Sequence, residues 1–446
     1  MTTTTQPVTL AEASRFWFQL GWVSFGGPAG QIALLQRELV ERRRWLSERR
    51  YLHALNYCML LPGPEAMQLA TYLGWLMHGV PGGLIAGGLF VIPSVFVLTA
   101  LASIYALWGQ LPLLASVFAV LKPAVLAIVL MAAWRIGRRT LRTPLLVALS
   151  IAGFLAMALL NLPYPLVVIT AAVIGLVVAR WRPALLLSGS AHSPGSAQGT
   201  ADRPDALHDD HTASPEHARF SKRKLALTLL IWALALLLPL AGVVAINGWN
   251  GSLAVMARFF TRVALLSFGG AYAVLPYVAQ GAVEQFGWLS ASQMLDGLAL
   301  GETTPGPLIM VVAFVGFMGG WNQALAASTS PWPLALAAVA VTVWFTFLPS
   351  FGFILAGAPL VEASRNDLRL GAPLSAITAV VVGVIASLAL FFAGPVLWSN
   401  GGFQVGAAVV VVALWAQLKL RWSVLQVIGA AAALGVAMAV ARQVLS

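Results

Sequence analysis

Two carboxylates stand beside two Pro-Gly-Pro triplets in a strongly apolar chain. Glu65 directly follows Pro62-Gly63-Pro64, and Glu302 precedes Pro305-Gly306-Pro307 by three residues. Proline lacks an amide donor and clashes with the preceding helical turn, so each triplet predicts a broken helix. A helix that restarts after such a break directs N–H groups at an anion, and an ionisable side chain at membrane depth is by default a functional-site hypothesis.

Two further motifs suit close approach to an anion. Ser24-Phe25-Gly26-Gly27 recurs as Ser267-Phe268-Gly269-Gly270, and the first copy is followed by Pro28, a residue typical of a helix start. We predict a substrate-binding set from these motifs and the polar and basic residues near them: Gly26, Gly27, Gln31, Pro62, Gly63, Pro64, Gln68, Lys122, Arg258, Arg262, Gly269, Gly270, Thr303, Thr304, Pro305, Gly306 and Pro307. Glu65 and Glu302 are the candidates for proton coupling.

Several of these residues also have a purely structural interpretation. Glu65 could cap the amides of its own helix, and Thr303 and Thr304 could cap the second break. Arg258 and Arg262 lie four residues apart on one helical face; they could attract an oxyanion or extend to the membrane interface. Lys122 is a candidate counter-charge for an anion, with an interfacial anchor as the alternative.

The composition predicts the elements that position these residues. The chain has 446 residues, of which 59% are hydrophobic and only 9% charged, as expected for an all-α polytopic membrane protein in a lipid bilayer. The net charge of +11 comes from short connections between apolar runs, a pattern of membrane topology and not of nucleic-acid binding. Since no nucleotide, metalloprotease or hydrolase motif is present, we expect neither an enzyme nor an ATP-driven pump, and no cofactor or metal.

The chain is an internal duplication. The repeated motifs share one offset of 243 residues, as from Ser24 to Ser267, and Ile92-Pro93-Ser94 has a looser counterpart in Leu348-Pro349-Ser350. We predict an N-terminal repeat at 1–180, a polar cytoplasmic linker at 181–224 and a C-terminal repeat at 225–446. His208-Asp209-Asp210-His211 in the linker is interpreted as solvated and not as a metal site.

Charge predicts that the two halves are inverted. The segment 37–50 contains six arginines, whereas its counterpart at 281–291 contains none. About 13 hydrophobic segments, with re-entrant or broken helices at the glycine and proline motifs, put the N-terminus and linker in the cytoplasm and the C-terminus in the periplasm. Four of the 26 basic residues then lie off the cytoplasmic side: Lys122, Arg258, Arg262 and Arg442.

Long stretches of the sequence resemble a known family. FGGPAGQIALLQRE, LLPGPEAMQLATYLGW, GGLIAGGLFVIPS and the second-half GWLSASQMLDGLALGETTPGPL are similar to the long-chain, two-domain form of the chromate ion transporter family. The resemblance implies chromate efflux from the bacterial cytoplasm across the inner membrane and resistance to chromate. It carries over to the matching motif positions: Gly26, Gly27, Pro62, Gly63, Pro64, Glu65, Gln68, Gly269, Gly270, Pro305, Gly306 and Pro307.

We therefore expect a secondary exporter of chromate that binds the dianion where the four broken elements meet. A proton antiporter or a potential-driven exporter would both suit a carboxylate that changes its charge state beside a dianion. A sulfate or other oxyanion permease and an anion channel are the alternatives, with sulfate as a competing analogue. The sequence leaves selectivity, stoichiometry and a homo-oligomeric state open.

Overall fold

The computed structural model of the chain describes residues 8–181, 216–363, 371–398 and 403–445, and these form α-helices with short 3-10 and π turns. The first half contains seven helices: α1 (Leu10–Val23), α2 (Gly27–Gln36), α3 (Glu48–Leu60), α4 (Glu65–Trp108), α5 (Pro112–Thr140), α6 (Pro144–Ala158) and α7 (Tyr164–Trp181). The remaining helices are α8 (Lys222–Asn247), α9 (Ser252–Leu266), α10 (Ala271–Ala279), α11 (Ala291–Thr303), α12 (Val311–Ala326), α13 (Pro331–Ala363), α14 (Gly371–Leu397), α15 (Phe403–Lys419) and α16 (Val424–Leu445).

The helix boundaries reproduce the duplication that the motifs predict. The π turns at Arg37–Arg42 and Gln280–Gln285 lie 243 residues apart, as do both ends of α3 and α11. Helices α1 to α7 therefore correspond to α9 to α16, with α4 matching α12 and α13 together. Most of the predicted linker, residues 182–215 with His208 to His211, lies outside the described residues, so the proposed domain limits stay a prediction.

Helix α4 does not form one straight crossing, because it folds back on itself. His78 and Gly79 leave the helical conformation, with Gly79 at φ +67°. On either side of this kink the backbones touch, since a Cβ at Gly74 would overlap the carbonyl of Gly82. The result is a re-entrant segment (65–77) packed against a long crossing segment (80–108), which is about 43 Å long at 1.5 Å per residue.

Each half contains a re-entrant hairpin with its Pro-Gly-Pro triplet at the tip. In the first hairpin (α3 with 65–77), the rings of Tyr57 and Tyr72 lie 5.8 Å apart on its two arms. In the second hairpin (α11 and α12), a Cβ at Gly297 would overlap Phe314 on the facing helix. These contacts confirm the predicted broken, re-entrant elements.

The two hairpins enter from opposite ends of the bundle. The first hairpin has its base at the α4 kink, where its Tyr72 contacts Glu362 at the last turn of α13. The second hairpin has its base at the other end, where its Asp296 contacts Tyr105 near the end of α4. We call these the kink end and the far end. Their opposition is the inverted arrangement predicted from charge.

The halves are interleaved and not merely side by side. Helix α14 of the second half packs on α6 and α7, while α5 of the first half packs on α15 and α16. Glycines make these approaches close, since a Cβ at Gly383 would overlap the Ser150 carbonyl and one at Gly435 would overlap the backbone of Val117. Small residues at helix contacts are typical of membrane bundles.

Eight helices of the described residues are long and apolar enough to cross a membrane. Two shorter apolar helices lie at Pro144–Ala158 and Gln404–Lys419. The polytopic class is therefore confirmed, whereas the number of 13 segments stays a prediction. Helix α8, which has no counterpart among the helices of the first half, lies at the periphery with no fully buried residue.

Candidate functional site

Both Pro-Gly-Pro triplets end one helix and start another. Helix α3 ends at Leu60 before α4 begins at Glu65, and α11 ends at Thr303 before a 3-10 turn begins at Leu308. The central glycines, Gly63 (φ +133°) and Gly306 (φ +95°), have backbone angles that residues other than glycine rarely adopt. The predicted breaks are therefore present at both triplets.

The Phe-Gly-Gly motifs form the tight turns before α2 and α10. Gly26 and Gly27 have φ of +92° and +68°, and Gly269 and Gly270 have φ of +83° and +93°. No side chain caps either helix start. Together with the starts of α4 and of the 3-10 turn at Leu308, four helical N-termini follow the four motifs, and each contributes a positive dipole end.

The tip of each half is bound to the glycine turn of the other half. The amide of Gly63 donates to the Ser267 carbonyl at 3.0 Å, and the amide of Gly306 donates to the Ser24 carbonyl at 2.8 Å. The two bonds are equivalent under the 243-residue offset, so they form a pseudo-twofold crossing, which we call the tip crossing. The four broken elements meet as expected, but these two amides serve the crossing and not an anion.

Two serines that sequence reasoning did not select complete the tip crossing. The Ser94 hydroxyl donates to the Pro305 carbonyl, and Ser350 lies 3.4 Å from the Gln68 amide nitrogen. Both serines directly follow a proline inside a long helix, at Pro93 and Pro349. The looser repeat of Pro-Ser pairs in the sequence is the signal that could have identified them.

Two predicted glutamines brace the tips from within. Gln31 donates through its amide nitrogen to the carbonyls of Ser24 (3.1 Å) and Gly306 (2.5 Å). Gln68 donates in the same way to the Pro62 carbonyl at 2.7 Å. Both side chains are buried, and their carbonyl oxygens have no hydrogen-bond partner within the described part of the chain. Their donors therefore position the tips and are not aimed at a substrate.

Both predicted carboxylates reach the start of α10. A Cβ placed on Gly270 would lie 3.6 Å from Oε1 of Glu65, and the hydroxyl of Tyr272 donates to Oε1 of Glu302 at 2.7 Å. The start of α4 at Pro64 has no side-chain cap, and the Glu65 carboxylate lies instead near the start of α10, which argues against the capping interpretation. Both residues are partly buried.

The pseudo-twofold symmetry is broken at this corner. At the 243-residue offset, Glu65 corresponds to Leu308 and Glu302 corresponds to Met59. The equivalent corner, at the start of α2, is therefore apolar where the corner at α10 is acidic. We call the group of Gly270, Tyr272, Glu65 and Glu302 the acidic corner.

The three predicted cations are engaged elsewhere. Lys122 lies 3.5 Å from Asp296, and Arg258 stacks 4.1 Å above the Trp249 ring and donates to the Trp249 carbonyl. Arg262 interacts with the hydroxyl of Tyr277. The contact of Arg258 with tryptophan is the interfacial alternative, and the structure does not bring these three side chains together at the tip crossing.

One cation that sequence reasoning missed lies closer to the acidic corner. Arg135, in the last turns of α5, is near enough to Tyr272 to interact with it electrostatically. Its place close to Arg138 and Arg139 put it among the basic residues that the sequence pattern assigned to membrane topology. Thr303 and Thr304 donate to the carbonyls of Leu300 and Gly301, so both threonines cap the C-terminus of α11.

Comparison with known proteins agrees with this architecture. Residues 11–176 and 254–436 match the sequence profile of the family described as Chromate transporter. The chain belongs to the chromate transporter family. The two matched ranges begin at the same offset as the repeated motifs, and each contains one glycine turn and one Pro-Gly-Pro tip.

Curated relatives of this chromate transporter family member are named as transport proteins. A "Chromate transport protein" of Pseudomonas aeruginosa is 31% identical over 386 residues, which cover 85% of this chain and 80% of the relative. A "Probable chromate transport protein" of Synechococcus elongatus is 27% identical over 379 residues (85% and 83%), and a "Chromate transport protein" of Cupriavidus metallidurans is 26% identical over 385 residues (86% and 83%). No solved structure matches the chain.

Proposed function

We propose that this protein is a secondary transporter that exports chromate from the cytoplasm and so confers chromate resistance. One observation carries the proposal: two carboxylates, one from each inverted half, reach the start of α10, next to the tip crossing, in a chromate transporter family member. Inverted repeats with broken helices near the membrane midplane are a common plan of secondary transporters.

The helix starts and the carboxylates have opposite effects on a dianion. The N-termini of α2, α4, α10 and the 3-10 turn at Leu308 attract it, because their N–H groups and dipoles are positive. An ionised Glu65 or Glu302 repels it. A proton on one carboxylate removes part of that repulsion, so proton binding and dianion binding are linked.

Membrane potential then supplies a driving force. Chromate that leaves with one proton transfers one net negative charge outward, which an inside-negative potential favours by about 2.3 kcal/mol per 100 mV. Antiport, in which the proton enters as chromate leaves, would reverse the response to a pH gradient. Measuring the sign of that response distinguishes the two coupling modes.

The proposal orients the kink end toward the cytoplasm. The carbonyl of Val8 lies 2.8 Å from the His78 ring, and His217, at the end of the linker, bonds to the Trp75 carbonyl at 2.9 Å. Val8 and His217 therefore lie at the same end as the base of the first hairpin, which follows the arginine-rich segment 37–50, and the positive-inside rule favours the cytoplasm for that end. The C-terminus of α16 then lies on the periplasmic side.

The test uses Glu65→Gln with Glu284→Gln as a matched control, since Glu284 is an exposed acid outside the tip crossing. In proteoliposomes with the potential clamped, chromate flux of the wild type and of the control should respond to an imposed pH gradient. Glu65→Gln should retain flux driven by potential and lose the response to pH. An unchanged pH response in both Glu65→Gln and Glu302→Gln would remove the coupling role.

The same assay separates the alternatives. A channel gives chromate flux that is insensitive to the proton gradient in the wild type at a clamped potential. An oxyanion permease of broad selectivity loses chromate flux to a tenfold excess of sulfate, whereas a chromate-selective exporter retains it.

A further inference from the structure

A polar cluster ties the second hairpin to the first half at the far end. Asp296 of α11 accepts a hydrogen bond from the Tyr105 hydroxyl of α4 at 2.8 Å and lies 3.5 Å from the ammonium of Lys122 in α5. That ammonium also donates to the Ser292 hydroxyl at 2.6 Å. We call these four residues the far-end tie.

The kink end has a counterpart of related chemistry. The Tyr72 hydroxyl of the first hairpin donates to Glu362 of α13 at 2.6 Å, and Tyr57 donates to the Phe353 carbonyl at 3.0 Å. We call this the kink-end tie. Each tie uses a tyrosine–carboxylate bond to join the hairpin of one half to the long helix of the other half. The tip crossing lies between the two ties.

The far-end tie is an expensive way to hold helices together. A buried ion pair loses the hydration of both charges, and apolar packing of the same volume is often as stable or more stable. Oδ1 of Asp296 has no hydrogen-bond partner among the described residues, so the pair is incompletely satisfied. The Asp296 side chain is 3% exposed whereas the Lys122 side chain is 21% exposed, so the carboxylate is buried and the ammonium is partly exposed.

The donors around Asp296 are of the kind that an oxyanion needs. The ammonium and the phenol hydroxyl contact the carboxylate, and the Ser292 hydroxyl contacts the ammonium; all three groups can donate to a tetrahedral dianion. Helix α11 connects this cluster to Glu302 and the second tip, six residues and about 9 Å further along. Once Lys122 separates from Asp296, its ammonium is a free counter-charge. A dianion that leaves the tip crossing toward the far end would then bind to it.

We propose that the far-end tie and the kink-end tie are the two gates of the transport pathway, and that Lys122 passes from Asp296 to the departing oxyanion when the far-end gate opens. The identity of the substrate rests on the proposed function, whereas the gating does not. Alternating access requires one gate to be closed while the other is open, so weakening one tie shifts the population toward the state open at that end.

Native Cys58 reports on the gates without an engineered label. This cysteine is 0% exposed in the first hairpin and is within electrostatic range of Tyr72 and Glu65. Its rate of alkylation by N-ethylmaleimide should therefore rise when the kink end opens and fall when the protein is shifted toward the far-end-open state.

Tyr72→Phe and Tyr105→Phe form a matched pair, since each removes one hydroxyl that donates to a carboxylate. A hydrogen bond of about 1 kcal/mol corresponds to about a five-fold change in population. Tyr72→Phe should accelerate Cys58 alkylation by up to this factor, and Tyr105→Phe and Asp296→Asn should slow it. If both tyrosine variants accelerate alkylation, the ties only hold the fold together and the proposal is wrong.

A second measurement tests the transfer of Lys122 and stays informative if a variant folds poorly. Lys122→Gln should raise the KM for chromate by roughly ten-fold, the effect of losing one charge-assisted contact, and Lys122→Arg should restore most of it. An unchanged KM in Lys122→Gln would overturn the transfer step. If the wild type moves no chromate, the proposed function fails, while the alkylation rates still decide whether the ties are gates.

Discussion

Replacing Gly306 with alanine tests the tip crossing most directly. Gly306 holds φ at +95°, and a Cβ there would overlap the Ser94 hydroxyl oxygen and lie 3.0 Å from the Ser94 Cβ. Two separate penalties follow, a backbone strain of about 1–2 kcal/mol and an overpacking penalty of about 1–3 kcal/mol. We expect Gly306→Ala to lower the free energy of unfolding by about 2–5 kcal/mol.

The second half of the test removes the obstacle. Ser94→Ala alone loses the hydrogen bond to the Pro305 carbonyl, a loss of about 1 kcal/mol. In the double variant the overlap with the hydroxyl is gone and only the close approach of the two Cβ atoms is kept, so the strain and the lost bond dominate, about 2–3 kcal/mol. The double variant should therefore be about as stable as Gly306→Ala or more stable, with a coupling energy of about 1–3 kcal/mol.

The assay is equilibrium unfolding in mixed detergent micelles, read by tryptophan fluorescence, with chromate flux measured in parallel. Gly88→Ala is the control, because a Cβ at Gly88 meets no atom within 4 Å and alanine is favoured in a helix. Two results would refute the reasoning: additive effects of the two substitutions within about 0.5 kcal/mol, or a Gly88→Ala variant that is as unstable as Gly306→Ala.

Two further predictions concern the acidic corner. Arg135→Gln should raise the KM for chromate by several-fold, most strongly at low ionic strength. Arg138→Gln is the control and should leave the KM unchanged, since the Arg138 guanidinium stacks 4.8 Å above the Trp134 ring. Equal KM values in both variants would exclude Arg135 from substrate attraction. Tyr272→Phe removes the hydroxyl that donates to Glu302, so it should alter the pH profile of transport. The free energy of unfolding should change by only about 1 kcal/mol. A pH profile that superimposes on that of the wild type would show that the hydroxyl has no effect on the charge state of Glu302.

Local chemistry explains which parts of the fold were predictable from sequence. Proline and glycine act on the backbone within one or two residues, so the breaks at Pro62-Gly63-Pro64 and Pro305-Gly306-Pro307 follow from their neighbours alone. The duplication and the inversion also follow, because repeated motifs and arginine bias are visible without coordinates.

Contacts between the halves were not predictable in the same way. The sequence predicted that the four broken elements meet, but not that Gly63 donates to Ser267, since two chain segments far apart must be docked before that bond exists. The same holds for Lys122, whose partner Asp296 lies in the other half of the chain. The apolar sequence around a charged residue indicates that it is buried. Which residue neutralises it depends on how the helices pack.

The reciprocal tip crossing also constrains how the protein is made. The first hairpin is synthesised long before its acceptor, because Ser267 follows Gly63 by about 200 residues, which take roughly 10–40 s at ribosomal rates. During that interval the amide of Gly63 lacks its final acceptor, the Ser267 carbonyl. The base of the first hairpin also lacks its contact with the end of α13. A nascent chain arrested before Ser267 should therefore be cut readily by proteases at its first hairpin, and the same chain extended past α13 should resist them.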